Sequence, residues 1–128
     1  MLFADVNRPP SSADWGALRS AIDGDIVLRD SPPGYNAANT VFNARFHDVR
    51  PQAIARCATP HDVAEAISFI RRHGLEHAAR SGRHSFAGHS STRGVVIDVS
   101  PMRAVSVDGE VVTVGAGGAP RRRVRRTR

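Results

Sequence analysis

Eleven consecutive residues carry most of the groups in this chain that could do chemistry: Arg80-Ser81-Gly82-Arg83-His84-Ser85-Phe86-Ala87-Gly88-His89-Ser90. Two arginines supply positive charge, three serines supply hydroxyls, and His84 and His89 supply imidazoles, one of them a candidate nucleophile. Gly82 and Gly88 allow positive φ and a close approach of backbone to a ligand. Consecutive main-chain N–H groups in such a loop can form an anion-binding concavity. A metal suits the two histidines poorly, because no carboxylate or thiolate neighbours them. The residue types fit an anion; on spacing alone a plain glycine-rich connection between strands fits as well.

The two common nucleotide loops do not match. A mononucleotide P-loop needs G-x-x-x-x-G-K-[ST], whereas five residues separate Gly82 from Gly88 and His89 stands where lysine is required. A dinucleotide fingerprint needs its glycines to open a helix after a strand. Here the sequence predicts a strand on both sides of the loop. Residues 76–79 lead in, and the apolar run Val95-Val96-Ile97-Asp98-Val99 reads as an interior strand leading out.

The strongest element pattern lies just upstream. Residues 53–57 predict a strand, Thr59 a helix cap and Pro60 the first helical position, with Asp62 three residues after the cap. Val63, Ala66, Ile67 and Ile70 make one apolar stripe; Arg71, Arg72 and His73 suit the last turn, and Gly74 stops the helix. With the strand at 76–79 this forms a right-handed βαβ unit. Earlier in the chain, Ser11 or Ser12 caps a helix whose face is Trp15, Leu18 and Ile22, and Gly24 closes it. Ile26-Val27-Leu28 follows as a short strand and Ser31-Pro32-Pro33-Gly34 as a turn. Residues 36–42 suggest a helical turn, with Phe42 and Phe46 as core anchors. After the loop, residues 104–107 and 110–114 flank Asp108-Gly109 as a hairpin, which ends in Gly115-Ala116-Gly117-Gly118.

The chain of 128 residues has room for one domain with a modest core. Its formal charge of +6 first suggests nucleic acid, but six of its 18 basic residues lie in the tail, at 121, 122, 123, 125, 126 and 128. Residues 1–118 are net neutral. The tail has no periodicity, no apolar face and no interleaved aromatic residue for base stacking, so it reads as disordered. Every basic residue is arginine, which with abundant Ala, Gly and Pro suggests GC-rich coding. The one cysteine, Cys57, excludes an internal disulfide and reads as a small buried hydrophobe. No run approaches the roughly 20 apolar residues that cross a bilayer, and no signal-peptide pattern opens the sequence. A cytoplasmic protein with no membrane association is expected.

The run R-S-G-R-H-S-x-x-G-x-S at residues 80–90 resembles the flavin-binding loop of the vanillyl-alcohol oxidase / p-cresol methylhydroxylase superfamily, most closely its berberine bridge enzyme-like branch. Around it, in the same order, stand Pro51-x-Ala53-Ile54-Ala55-Arg56-Cys57, Asp62-Val63 and Val96-Ile97-Asp98-Val99-Ser100-x-Met102. The hairpin ending Val114-Gly115-Ala116-Gly117 completes the set. The resemblance covers about residues 35–117. It implies an α+β fold: the first lobe of a PCMH-type FAD-binding domain, with a βαβ unit and a terminal β-hairpin. Residues 1–34 would then be an N-terminal extension, 35–118 a partial FAD-binding domain and 119–128 a disordered tail.

By the same resemblance the loop wraps the pyrophosphate of FAD, with cofactor contacts at Arg80, Ser81, Gly82, Arg83, His84, Ser85, Gly88, His89, Ser90, Gly115, Ala116 and Gly117. His84 matches the histidine that usually bonds covalently to the flavin 8α-methyl. Arg83 stands where the family usually has glycine; positive φ there would strain an arginine, while its guanidinium is a potential partner for a phosphate oxygen. The implied activity is FAD-linked oxidation of a small-molecule substrate. No residue here matches a catalytic base. Family members are several times longer, so a truncated or frameshifted reading frame, with apolar sheet surface left uncovered and little stand-alone turnover, is expected. The rival readings are a small nucleic-acid-binding protein acting through its tail and a fragment without function.

Overall fold

A computed structural model describes residues 8–31 and 33–118 of the chain. Ten elements follow one another: α1 (Ser12–Ala21), β1 (Asp25–Leu28), α2 (Tyr35–Asn39), a 3-10 turn (Ala44–Phe46), β2 (Ala53–Arg56), α3 (Pro60–His73), β3 (His77–Arg80), β4 (Val95–Asp98), β5 (Val105–Asp108) and β6 (Val111–Val114). Among the described residues no helix is long and apolar enough to cross a membrane. Pro32 and residues 119–128, including the arginine-rich tail, lie outside the described residues.

Four strands form one sheet in the order β1-β2-β4-β3. β2, β4 and β3 run parallel and β1 pairs antiparallel with β2. β2 and β3 are thus parallel, as a βαβ unit requires, but β4 lies between them. The central place of β4 explains its composition: Val95, Val96, Ile97 and Asp98 are all buried. Because strand side chains alternate, the sheet has two apolar faces. Ala53, Ala55, Val95 and Ile97 pack with Trp15, Leu18 and Ile22 of the α1 segment and with Ala66, Phe69 and Ile70 of α3. On the other face Ile54 and Val96 pack with Tyr35 and Ala38 of α2. α1 and β1, which lie in the segment expected as an N-terminal extension, share this sheet and core with β2, α3, β4 and β3.

Local signals account for the helices. Ser11 and Asp14 form a reciprocal capping box at α1, its Oγ accepting from the Asp14 N–H at 3.1 Å while Asp14 accepts from the Ser11 N–H at 2.8 Å. The α3 cap is Thr59 and its last residue precedes Gly74, which adopts φ +61. Cys57 is fully buried, as expected of a small hydrophobe; burial, then the Asp62 and Asp98 charges, push its thiol up to about 11.

Three expectations need correction. Phe42 is no core anchor: it is 65% exposed, and Phe46 is only half-buried. Gly24 does not close α1, which ends at an extended Ile22. The hairpin turn is Gly109-Glu110 rather than Asp108-Gly109, since Asp108 pairs with Val111 and Gly109 takes φ +59.

Candidate functional site

The C-terminal ends of the three parallel strands lie side by side, with Arg56, Asp98 and Arg80 in register. In open sheets of parallel strands ligands bind at this edge. The loop 81–90 leaves the sheet here, from the end of β3.

Ser81 fastens the loop to the glycine turn beyond the hairpin. Its hydroxyl donates to the Ala116 carbonyl at 2.6 Å, and its own carbonyl accepts from the Ser100 hydroxyl at 2.7 Å. The turn is held close by main chain: Gly115 N–H donates to the Ala104 carbonyl at 2.8 Å and Gly117 N–H to the Met102 carbonyl at 2.9 Å. A Cβ on Gly117 would run into the Val99 and Ser100 carbonyls, so glycine is required for that approach. Of the residues that the resemblance assigns to one site, Ser81 and the turn at 115–117 are in direct contact.

Within the loop, the main-chain N–H groups of Gly82, Arg83, His84 and Ser85 donate to no protein acceptor among the described residues. Consecutive donors without a protein acceptor beside a left-handed residue are the ingredients of an anion-binding nest. Positive φ falls elsewhere than the sequence suggested. Gly82 has space for a side chain and no positive φ, whereas Arg83 sits at φ +64. That conformation costs a non-glycine residue about 1–2 kcal/mol. Gly88 does take positive φ, +78, and a Cβ there would strike the Phe46 ring. Further along, Ser85 Oγ accepts from the His89 N–H at 3.2 Å, and the His84 and His89 side chains are exposed.

Arg80 is 2% exposed and lies beneath the loop rather than at its surface. Its Nε donates to the Ser90 carbonyl at 3.0 Å and its Nη1 to the Asn39 carbonyl at 3.3 Å, so it ties both ends of the loop to α2. Burial, then the Arg83 charge, lower its pKa below the ordinary guanidinium value, against the pull of Asp98. Arg80 Nη2 and Asp98 Oδ2 are both buried without a hydrogen-bond partner. Arg83 does not point outward to a phosphate. Its Nη1 donates to the Ala37 carbonyl at 2.9 Å, and its Nη2 lies 3.6 Å from Asp98 Oδ2.

Sequence reasoning missed two participants. Asp98 is a charged residue closing an apolar strand at the ligand edge of the sheet, a signal present in the sequence but unused. Phe42 stacks on the His84 ring with centroids 4.6 Å apart and planes at 27°; nothing local links residues so distant in sequence.

The donor set suits a pyrophosphate: free N–H groups, hydroxyls, and glycines where backbone must come close. Comparisons with known proteins identify the family. Residues 51–121 match the family described as FAD binding domain. The FAD-linked oxidoreductase pgmH of Aspergillus terreus is 40% identical over 108 residues, covering 82% of this chain and 22% of that protein. 6-Hydroxy-D-nicotine oxidase from Arthrobacter nicotinovorans superposes with a TM-score of 0.71 at 32% identity, over 76% of this chain and 22% of that one. BBE-like 1 of Physcomitrella patens shares the fold alone, with a TM-score of 0.71 at 20% identity over 80% of this chain and 23% of that one. The chain therefore spans only about a fifth of the length of the relatives it matches. A family match over more than half of the chain, on the fold of berberine bridge enzyme-like proteins, makes it a member of the FAD binding domain family of the PCMH type, with FAD as its cofactor.

Proposed function

We propose that this chain holds the pyrophosphate of FAD in an FAD-linked oxidoreductase, and that His84 tethers the flavin. The observation that carries the reading is the run of free N–H groups at residues 82–85, fastened through Ser81 to the turn at 115–117. Bound FAD supplies a two-electron acceptor for hydride taken from a small-molecule substrate. The chain's own contribution is to bind and orient. Gly82–Ser85 offer N–H donors to phosphate oxygens, Ser81 keeps the two loops in register, and Arg80 supports the loop from below. His84 is exposed next to these donors. There its imidazole would hold the flavin by a bond to the 8α carbon in place of a proton, the electron pair left on the isoalloxazine passing to an external acceptor such as dioxygen, as the resemblance at residues 80–85 implies. The relatives' names, FAD-linked oxidoreductase and (R)-6-hydroxynicotine oxidase, support the oxidoreductase class.

The absorption spectrum of the purified chain between about 350 and 500 nm, taken before and after acid precipitation, tests this. A flavin spectrum that stays with the precipitate, and moves to the supernatant in His84→Ala, is the expected result. Colour released from the unaltered chain removes the tether but keeps FAD binding. A colourless chain that also fails to take up added FAD refutes the reading.

A further inference from the structure

Arg83 is the only described non-glycine residue with positive φ. A non-glycine backbone held in that conformation relaxes unless its surroundings fix it, and four contacts do so. Nη1 donates to the Ala37 carbonyl at 2.9 Å and the Thr40 carbonyl at 3.4 Å, groups at the end of α2. Nη2 stands 3.6 Å from Oδ2 of the fully buried Asp98, an oxygen with no hydrogen-bond donor of its own. The Arg83 carbonyl accepts from the Phe42 N–H at 2.8 Å. One residue thus joins the loop to the end of α2, to the segment that follows it and to the ligand edge of the sheet.

The contacts converge on the next residue. Phe42, held by the Arg83 carbonyl, presents its ring to the His84 ring at 4.6 Å. A guanidinium has a planar fork that can serve carbonyls with one nitrogen and a carboxylate with the other, which an ammonium cannot reproduce. The buried Asp98 in turn requires a counter-charge, and Arg83 is its ion-pair partner among the described residues.

We propose that Arg83 is a positioning residue: it latches the loop onto residues 37–42 and so fixes the His84 ring against Phe42. The latch is made of protein groups alone and forms without cofactor. Only its value for tethering a flavin rests on the function proposed above.

The test is nuclear magnetic resonance on the cofactor-free chain, read at two sites. In the unaltered chain the Phe42 amide should exchange slowly with solvent, and the His84 ring protons should be displaced by the ring current of Phe42. Arg83→Met should speed Phe42 amide exchange by about tenfold or more, the signature of local opening. The same variant should return the His84 ring protons to their unstacked positions. Arg83→Lys, which keeps the charge but not the fork, should give intermediate values. Unchanged exchange and unchanged ring shifts in Arg83→Met overturn the latch. The Ile70 amide on α3 reports the global fold. If Arg83→Met loses protection there, Arg83→Lys decides: intermediate values support the latch, and values equal to those of the unaltered chain overturn it. Flavin enters neither measurement. Failure to bind FAD would therefore count against the proposed function alone, and failure of these shifts against the latch alone.

Discussion

Asp62 accepts from three main-chain N–H groups at once, those of Asp23, Gly24 and Ala58, each at 2.9 Å. It is fully buried and joins the start of β1 to the start of α3. Burial by itself raises its pKa. The donors at Asp23, Ala58 and Gly24, with Thr59, outweigh that, and the net displacement is downward from the ordinary 3.8. The folded pKa therefore lies below the unfolded one, so the carboxylate's contribution is complete above the ordinary value. It is lost as pH falls through the depressed folded value. Asp62→Asn keeps the shape but offers one acceptor oxygen and turns an NH2 donor towards an N–H. Leaving buried donors unsatisfied should lower stability by about 2–3 kcal/mol at neutral pH. Urea unfolding measures it, and equal midpoints for variant and parent would refute it. Between neutrality and pH 3.8 the unaltered chain should hold its midpoint as far as this group decides it, then weaken below. The Asn variant should lack that part of the acid loss.

At the scale of elements, the loop 81–90 and the turn 115–117 act as one surface because the Ser81 hydroxyl reaches the Ala116 carbonyl. Ser81→Ala removes that bond while leaving the core untouched. It should cost about 1 kcal/mol in urea unfolding and weaken FAD binding about tenfold, since the two halves of the surface no longer come pre-set. Equal FAD titration curves for variant and parent would show that the loops are set by other means. Residues 60–73 were readable in full, because a cap, a stripe and a stop signal all act within a few residues. Strand order was not readable: β4 enters between β2 and β3 through pairings that no local pattern encodes. The residue types of the loop suited an anion or a plain connection equally, and the left-handed position was legible only through the resemblance, which sets Arg83 where the family has glycine. Glycine at 82 invites that conformation, and only contacts from residues 37–42 and Asp98 hold Arg83 in it instead. Phe42 was misplaced for the same reason, since hydrophobicity suggests a core and its partner lies on a loop far away in sequence.

The whole molecule divides into a covered sheet and an uncovered hairpin. Both faces of the four-stranded sheet pack against helices, whereas no residue of β5 or β6 is buried. The hairpin register pairs Val105 with Val114 and Val107 with Val112. Cross-strand partners share a face, so these four valines, 47–64% exposed, form one apolar patch. Ser106 and Thr113 lie on the opposite face. The chain should therefore scatter light increasingly with concentration and bind a hydrophobic dye at the hairpin. Val107→Thr with Val112→Thr keeps β-branched side chains in both strands, so the hairpin is retained while its patch is broken. The doubly substituted chain should lose the concentration dependence, with unfolding stability within about 0.5 kcal/mol of the parent because neither residue is in the core. Association that persists in the double variant would locate its cause away from the hairpin, in the apolar residues exposed near the loop, Phe42 and Phe86.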